Sequence, residues 1–550
     1  MIPRPANYDS FTGRLRSARV LSLIMIVGML AGAAVIDLRD RPFFDHLEIS
    51  SNSLTNMSGP MVAWFCPGGS NQDGMAELTI ELFNAARVTR DATITVIPDS
   101  LPAAQLTTKE ADFDHSFSIS IPSQKRVLLP LGVELPEAQW VGAVVEVASP
   151  DVIVEQIISD KHGGAGRSSC LTRTSTQWIL PHGATRLEAE GEQLFLMLLN
   201  PYLDFAVVNI EMLSDYGHDS IESLVVPAGE VVKVDVTDEL PVADTVTLYV
   251  EAISGRVAAS WIQLVDGPKS GKGTQVATAI PHVAPLWYIP SAGVDTQRRD
   301  VVAVTNPSTD RTAAVDIEVI TDQPDVTIDP IELTIAPRQT ELVNLQTQNR
   351  LKGFNDFTVV VRSLEGLPVA ASITSIVGDA AVLPEFTSSS IDVTDALDSD
   401  SPIDSFEDDQ TTYSLQDRIT PGATATIAAD AAAKEWLLPV EVSAVGNMDK
   451  SDNGTVDLDA DVSSVAIVNP SSSIIALVDL IVNDVTIRSL ELGPQQRARF
   501  PLAWFASGYF ILEIEASSPV IAGSELIGLT SRVASLGVAT SEPVPLSILR

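Results

Sequence analysis

The chain has 550 residues, 45% of them hydrophobic and 19% charged, which allows most of it to fold into several domains of ordinary size. Its 72 acidic side chains outnumber its 34 basic ones, and the formal net charge is −38. A surface this negative repels nucleic acid and anionic lipid headgroups, so the composition excludes nucleic-acid binding and favours cations, neutral polymers or basic proteins as partners.

The first element in chain order is an uncharged apolar run at 20–36, at the short end of the range for a spanning helix. Arginines are concentrated before the run, and charges balance after it. The positive-inside rule therefore predicts a cytoplasmic N-terminus at 1–19, a transmembrane signal anchor at 20–38 and a juxtamembrane linker at 39–60. Small residues at 31–33 leave a cleaved signal peptide, and hence a secreted protein, as the alternative. In both cases the bulk of the chain is extracytoplasmic.

An internal repeat begins at the tetrad Trp-x-x-Pro, which occurs four times. Each tetrad leads into an apolar strand that ends at an asparagine turn, followed by an alternating strand, a proline-led turn and a closing hairpin. Asparagine tolerates a left-handed φ and caps its own turn, so both properties are expected at these turns. The first positions of the tetrads are Trp64, Trp178, Trp287 and Trp436. The turn asparagines are Asn84, Asn200, Asn306 and Asn469.

Alternation with a period of two and many β-branched residues predict strands throughout the repeat. About seven short strands per copy are typical of an Ig-like β-sandwich, with the tryptophan as a core plug. The predicted fold class is therefore all-β, with four tandem Ig-like β-sandwich modules after one N-terminal transmembrane helix. A β-propeller with two blades per copy is the alternative. The unequal lengths of the copies favour a string over a closed ring.

The divisions of the chain follow from the repeat and from its composition. The predicted β modules 1 to 4 are at 61–165, 172–266, 280–384 and 435–530, with an acidic disordered linker at 385–434 and a C-terminal tail at 531–550. The acidic linker has low hydrophobicity and like-charge repulsion, and it is expected to let module 4 move relative to the others. Gly-rich stretches at 161–169 and 267–274 are predicted linkers. The second departs from a phosphate loop in its spacing and lacks the Ser or Thr that binds magnesium.

The only two cysteines are Cys66 and Cys170. Outside the cytoplasm such a pair predicts a disulfide. No histidine stands at ligand spacing from either cysteine, and the six histidines form no HxH or HxxxH pair. Metal catalysis through these residue types is therefore not predicted.

One segment of module 4 follows the spacing of a calcium loop. Oxygen-bearing side chains occupy its positions 1, 3, 5 and 9, with glycine at position 6. Position 12 is Ala460, so the bidentate carboxylate is missing, and an ordinary Asp-Asn-Gly turn is the alternative. The candidate ligands are Asp449, Ser451, Asn453 and Asp457. No other cofactor is predicted.

No catalytic residue is predicted, because nucleophile signatures are absent and no pair of carboxylates stands out from the many solvent-face acids. Carbohydrate binding needs exposed aromatic rings. Trp140, Trp261 and Trp504 lie outside the repeat position but in or beside strands, where a core role is expected. Tyr202 and Tyr216 lie in loops and could contact a ligand.

The opening Trp-Phe-Cys-Pro-Gly-Gly at 64–69, just beyond a single predicted membrane segment, resembles a family of uncharacterised exported actinobacterial proteins. The Asn-Pro turns and Cys170 carry the same resemblance, which covers most of residues 20–530. It implies an envelope location and no activity. Only module 1 has the cysteine and the glycine pair of the opening.

Taken together, these features predict a non-catalytic extracytoplasmic scaffold or interaction protein of the bacterial cell envelope, held by one membrane segment. Its expected partner is an envelope protein or a cell-wall polymer. A cell-wall polysaccharide-binding protein is the first alternative. An envelope hydrolase is the second, and it requires carboxylates that converge in a cleft between modules.

Overall fold

The structure is a computed structural model. The structure describes residues 62–72, 74–100, 115–160, 164–267, 271–294, 298–323, 326–377, 422–442, 463–502, 508–527, 532–536, 538–541 and 543–549. The predicted anchor at 20–38, the acidic run and the candidate calcium loop lie outside these residues. Within the described ranges, no helix has the length and apolar character needed to cross a membrane.

The described chain is nearly all β, as the alternating pattern predicts. Module 1 contains β1 (Val62–Ser70), β2 (Ala76–Asn84), β3 (Arg90–Pro98), β4 (Ser116–Ile121), β5 (Arg126–Pro130), β6 (Trp140–Val147), β7 (Val152–Asp160) and β8 (Ala165–Ser169). Module 2 contains β9 (Gln177–Gly183), β10 (Glu192–Asn200), β11 (Ala206–Ser214), β12 (Gly217–Val226), β13 (Glu230–Asp235), β14 (Val246–Ser254), β15 (Ala258–Gly267) and β16 (Gly271–Thr278).

The other two modules repeat this order. Module 3 contains β17 (Leu286–Ala292), β18 (Arg298–Asn306), β19 (Ala313–Thr321), β20 (Ile331–Ile335), β21 (Gln339–Asn344), β22 (Phe357–Ser363), β23 (Ala370–Val377) and β24 (Gly422–Ile427). Module 4 contains β25 (Ala431–Val442), β26 (Ser464–Val468), β27 (Ala476–Val482), β28 (Val485–Leu492), β29 (Arg497–Pro501), β30 (Gly508–Ile527) and β31 (Arg532–Leu536), followed by β32 (Val538–Ala539) and β33 (Val544–Pro545). Short helical turns are α1 (Leu187–Glu190) and α2 (Val236–Glu239), with 3-10 turns at Leu131–Val133, Leu345–Thr347, Asn349–Leu351 and Leu546–Ile548.

Each copy arranges its strands in two groups. In the first group, which we call the Trp sheet, the order is fourth, third, sixth, first, and the first strand carries the repeat tryptophan. In the second, the Asn sheet, the order is fifth, second, seventh, eighth, and the second strand ends at the repeat asparagine or, in module 4, one residue before it. The two sheets of module 2 share one core in which Trp178 packs with Leu196 and Val208. None of the described sheets closes on itself.

The sixth and seventh strands do not form the predicted hairpin. Both edges of β6 are occupied by β1 and β3, and both edges of β7 by β2 and β8. The chain therefore crosses from the Trp sheet to the Asn sheet at this turn. In module 4 the two strands are the single strand β30, which pairs with β27 in one sheet and with β26 in the other.

The described residues of the two Gly-rich stretches lie in or beside strands, where linkers were expected. Residues of the first form β8, and residues of the second form β16, each as the eighth strand of its module. A Cβ on Gly164 would lie 2.9 Å from the Cα of Gly273, and one on Gly166 would lie 2.6 Å from the carbonyl oxygen of Thr274. Glycine is therefore required because two backbones approach closely, and flexibility is not its role here.

The segment that leaves each module pairs with that module's own first strand. The residue after each repeat tryptophan bridges this outgoing segment in all four copies. The pairs are Phe65↔Leu171, Ile179↔Ile280, Tyr288↔Ala429 and Leu437↔Val538. The predicted C-terminal tail is thus partly strand, and residues 422–434 of the predicted acidic linker form β24 and the start of β25.

The modules contact one another in a closed circuit, which corrects the expected string. The Trp sheet of each module packs on the Asn sheet of the next, and the Trp sheet of module 4 packs on the Asn sheet of module 1. A basic side chain lies at every joint, either on the fifth strand of one module or in the turn before that strand. It contacts the sixth strand of the neighbouring module, or the residue just before that sixth strand. The pairs are Lys233 with Trp140, Arg338 with Tyr249, Arg497 with Asp356 and Arg126 with Tyr509.

Candidate functional site

The four repeat tryptophans are fully buried, which is the core-plug role that the sequence predicts. The indole nitrogens of Trp178, Trp287 and Trp436 donate to the backbone oxygens of Val257, Val369 and Val520, at 3.0, 2.7 and 3.0 Å. The Nε1 atom of Trp64 is buried without a hydrogen-bond partner among the described residues. The repeat tryptophan is therefore structural in each copy.

The repeat asparagines are the second shared feature, and each is fully buried. In module 3, Asn306 Nδ2 donates to the carbonyl oxygens of Arg311, Ile335 and Ala336 at 2.7, 3.0 and 3.2 Å. Its Oδ1 accepts from the backbone N–H of Ser308 at 3.1 Å. Asn84, Asn200 and Asn469 make the same set of bonds. One amide thus joins the loop after the second strand to the turn before the fifth.

The asparagines cap their own turns as predicted, but the left-handed residue lies elsewhere. None of the four has a positive φ. Instead, a residue of the turn that the asparagine binds adopts φ values of 52–64°. These residues are Gln124, Gly229, Arg338 and Gln495. Glycine occupies this position in only one copy, so the sequence pattern did not reveal it.

The disulfide between Cys66 and Cys170 is present, with a Cα–Cα distance of 4.8 Å. Cys66 lies on β1, and Cys170 precedes the residue that bridges back to the same strand. The bond therefore fixes the outgoing segment of module 1 to that module's first strand. Corresponding positions in module 2 are the apolar residues Leu180 and Ala279, both buried.

We expect the double substitution of Cys66 and Cys170 to alanine to lower the free energy of unfolding by about 2–4 kcal/mol, because the disulfide closes a long loop in the unfolded chain. Urea titration of the oxidised full chain and of the variant measures this difference. Reduction of the wild type should reproduce it. Equal midpoints for all three samples would contradict the prediction.

A buried ionic cluster lies on the Asn sheet of module 1, built around a pair of facing carboxylates that the other copies lack. Glu81 and Glu155 are direct cross-strand partners and both are buried. Arg126 Nη1 lies 2.6 Å from a carboxylate oxygen of Glu81, and Arg167 pairs with both acids. The corresponding cross-strand pairs are Met197 with Ser260, Ala303 with Ser372 and Ala466 with Gly523.

Burial raises the pKa of Glu155 to about 7, and the neighbouring Glu81 adds to the rise, whereas Arg167 and Ser169 oppose it. Two facing carboxylates with one raised pKa form an arrangement that is common in acid–base sites. Here the cluster lies in the joint with module 4, where the Arg126 guanidinium is 2.8 Å from the Tyr509 ring centroid. The paired charges therefore join modules.

We expect Glu155→Gln to raise the free energy of unfolding at pH 8 and to have little effect at pH 5. The folded pKa lies above the ordinary value of 4.5, so the contribution of Glu155 is fully present below pH 4.5 and is lost as the pH rises through 7. The variant-minus-wild-type difference should therefore change by on the order of 3 kcal/mol between the two pH values. Urea titrations measure it, with the exposed Glu146→Gln as control.

A third buried group lies where three outgoing segments meet. His282 Nε2 and Asp430 Oδ2 form a hydrogen bond, and both side chains are buried. His282 also stacks on Trp287, with ring centroids 6.3 Å apart. The pKa of Arg173 is lowered by burial, and the nearby charge of Asp430 opposes part of this shift. This group ties the segments after modules 1, 2 and 3 together.

The residues considered for ligand binding lie in different environments and do not form one site. Trp140 and Trp261 are buried in cores and offer no sugar platform. Tyr202 and Tyr216 are exposed, but they lie at opposite ends of β11 and form no common surface. Trp504 and the calcium-loop candidates Asp449, Ser451, Asn453 and Asp457 lie outside the described residues. Among residues that the structure describes, no group of three or more His, Cys, Asp or Glu could hold a metal ion.

The loop after the second strand differs between copies although its frame is shared. In module 2 it exposes Tyr202, Leu203 and Phe205, and in module 4 it exposes Ile474 and Ile475. In module 3 this loop is mainly polar, and in module 1 it combines Arg87 with the exposed Val88. Sequence reasoning selected Tyr202 and missed its neighbours. The apolar residues beside an Asn-Pro pair were the available signal.

Comparisons with known proteins give little functional information. A family of unknown function, DUF5719, matches residues 140–296 and 284–382, which together are less than half of the chain. The opening motif at 64–69 is outside this match. Curated proteins give no match.

Two solved structures show only weak similarity to the chain. The crystal structure of Thermotoga maritima 1070 is 17% identical and covers 19% of this chain and 92% of its own, with a TM-score of 0.17. Salmonella alpha-2-macroglobulin reacted with methylamine is 9% identical and covers 86% of this chain and 39% of its own, with a TM-score of 0.08. Similarities this low carry no argument about fold or function.

Proposed function

We propose that this protein is a non-catalytic scaffold or interaction protein of the bacterial cell envelope, anchored by the apolar segment at 20–36. The observation that supports it best is a shared loop frame with different side chains in each copy. A buried asparagine holds the loop after the second strand in all four modules, while the exposed residues range from polar to aromatic. Constant frames that present variable side chains are typical of binding surfaces on β scaffolds.

The use of the buried charges supports the same proposal. Glu81 and Glu155 bind arginines within a joint between modules, and His282 and Asp430 bind each other where outgoing segments meet. Groups used in this way are engaged in contacts between modules and are not directed into an open site. A rigid set of modules is suited to holding partners at fixed separations.

We further propose that each module is a variant of the Ig-like sandwich. Its two packed antiparallel sheets favour this assignment, although the first strand lies beside the sixth, where the immunoglobulin order has the seventh. The alternative, a propeller with two blades per copy, is favoured by the closed circuit of face-to-face sheets. The strand order within each sheet supports the sandwich because neighbouring strands are seldom consecutive in sequence.

Location and binding are tested together on the full chain. We expect fractionation of lysed cells to recover the protein with the membranes. Protease added to intact cells should digest it. The detergent-solubilised protein should retain envelope proteins after cross-linking and should not degrade purified wall polymer. A cytoplasmic, protease-protected chain would contradict the location. Hydrolysis of wall polymer would contradict the non-catalytic role.

A cell-wall polysaccharide-binding protein is the second candidate, and the exposed rings of Tyr202 and Phe205 favour it. Aromatic faces can stack on sugar rings, and neutral polymers are not repelled by an acidic surface. Retention on purified wall polymer, lost in the double variant Tyr202→Ser/Phe205→Ser, would support this candidate over a protein scaffold.

A further inference from the structure

The exposed apolar residues at one end of module 2 form a single surface. We define the module 2 loop surface as Tyr202, Leu203, Phe205, Val225 and Ile253. The exposed fractions of Leu203, Phe205, Ile253 and Val225 are 70%, 59%, 57% and 50%. Isolated exposed apolar residues are normal on proteins, but a contiguous set marks an interaction surface.

The members of this surface are brought together by three strands of the Trp sheet. Phe205 directly precedes β11, whose first residue is Ala206. Val225 lies on β12, next to the residue that pairs with Ala206. Ile253 lies at the end of β14, whose following turn carries Gly255. A Cβ on Gly255 would lie 2.9 Å from the Cβ of Ala206, so this turn rests on the start of β11.

The loop that carries most of the surface is held rigidly. Asn200 Oδ1 accepts from the N–H of Tyr202 at 3.1 Å, and its Nδ2 donates to the carbonyl oxygen of Asp204 at 2.8 Å. The hydroxyl of Tyr202 is 2.6 Å from Thr174 Oγ1. A preformed loop loses little conformational freedom on binding, which favours affinity.

The frame itself does not require apolar side chains. Module 3 has the same asparagine bonds, yet its loop contains Ser308, Thr309 and Asp310. The apolar content of the module 2 loop therefore has another cause. Exposure of this kind is costly in water, and binding of a partner would offset the cost.

Charge indicates which partner fits. Asp204 lies between the apolar residues, Glu222 is exposed on β12, and Glu251 lies on β14 beside the surface. Arg256, exposed in the turn after β14, is the one basic residue within five positions of Ile253 and Glu251 in the sequence. A second copy of a chain with net charge −38 is repelled, and so is an anionic membrane. A basic partner is attracted.

We propose that the module 2 loop surface binds a polypeptide segment that combines apolar or aromatic side chains with lysine or arginine. The apolar side chains contact Leu203, Phe205, Val225 and Ile253, and the basic groups lie near Asp204, Glu222 and Glu251. This inference rests on the proposed function as an interaction protein, and it names the surface and the class of partner.

A phage library of short random peptides, selected on the immobilised full chain, tests the proposal. Bound clones are then compared on the wild type and on Leu203→Ser/Phe205→Ser. The matched control is Ile474→Ser/Ile475→Ser, in the corresponding loop of module 4. All four substituted side chains are exposed, so equal melting temperatures are expected. Synthetic peptides from the enriched clones are titrated by fluorescence anisotropy.

We expect clones that depend on the surface to be enriched in basic and apolar residues. Their peptides should bind the module 2 variant about tenfold or more weakly than wild type, with the control variant unchanged and affinity falling as salt rises. Equal binding to both variants, or surface-dependent clones without basic enrichment, would overturn the proposal. So would an empty selection.

Three further outcomes would assign the surface to another occupant and equally overturn the proposal. They are dimerisation of wild type that the module 2 variant abolishes, binding to neutral phosphatidylcholine vesicles, and binding to purified neutral wall polymer. If cross-linking in cells still retains envelope proteins on the module 2 variant, the scaffold function stands and only the assignment of this surface fails.

Discussion

Trp287→Ala is expected to cost about 4 kcal/mol of unfolding free energy, because a large side chain with no exposed surface leaves a cavity in a packed core. The same change removes the hydrogen bonds from its Nε1 to the backbone oxygens of Val369 and Ala284, at 2.7 and 3.0 Å. The carbonyl oxygens of Val369 and Ala284 then each lose the indole N–H as a hydrogen-bond donor. Urea titration of wild type and variant at pH 7 measures the loss.

Phenylalanine variants separate the cavity from the hydrogen bond. Trp287→Phe should cost about 1–2 kcal/mol more than Trp64→Phe, because it removes two indole hydrogen bonds, whereas the Nε1 atom of Trp64 has no partner among the described residues. The two tryptophans are otherwise matched, since both are fully buried on a first strand. Equal costs would show that the indole hydrogen bonds contribute nothing to stability.

Asn306→Ala is expected to cost about 3 kcal/mol, since one substitution leaves three carbonyl oxygens and one N–H without their partner in a buried site. The loss should exceed that of an ordinary surface asparagine because Asn306 is fully buried and its bond to the carbonyl oxygen of Ile335 is buried as well. Asn349, which is exposed in the same module, provides the control as Asn349→Ala. Melting curves of both variants against wild type measure the difference.

The replacement Asn306→Asp tests which atom matters. Aspartate keeps the acceptor for Ser308 but replaces the donor of three bonds by an anionic oxygen facing three carbonyls. It should therefore destabilise at least as much as alanine at pH 7. A milder effect for aspartate would mean that the bond from Ser308 N–H to the side-chain oxygen provides the stability. The three bonds donated by Nδ2 would then contribute little.

The local features of the fold could be predicted because they depend on single residues and short patterns. The tryptophan at the start of each copy and the alternation along β11, buried on every second residue, identified strands around a core. The second face of β10 also had a signal that was not used. Its run Leu194 to Leu199 is apolar without interruption, which is typical of a strand covered on both sides.

The longer-range features had weaker signals. The glycines of β8 and β16 predict linkers, because sequence alone does not show that two backbones meet there. The joint between modules 2 and 3 is formed by polar residues such as Arg338, Glu211 and Thr340, which resemble ordinary solvent-facing residues. The exchange of the first and seventh strands depends on tertiary pairing, which has no period in the sequence.

The closed circuit bears on how the chain reaches its folded state. A growing chain supplies neighbouring copies in succession, so the joint between modules 1 and 2, which buries Phe195 and Met197, can form as soon as the second copy is complete. The Asn sheet of module 1 must wait for the last copy. Its waiting face carries Glu81, Glu155, Arg126 and Arg167, which water solvates well. Because these groups are charged or polar, we expect this face to remain hydrated until the last copy completes the circuit.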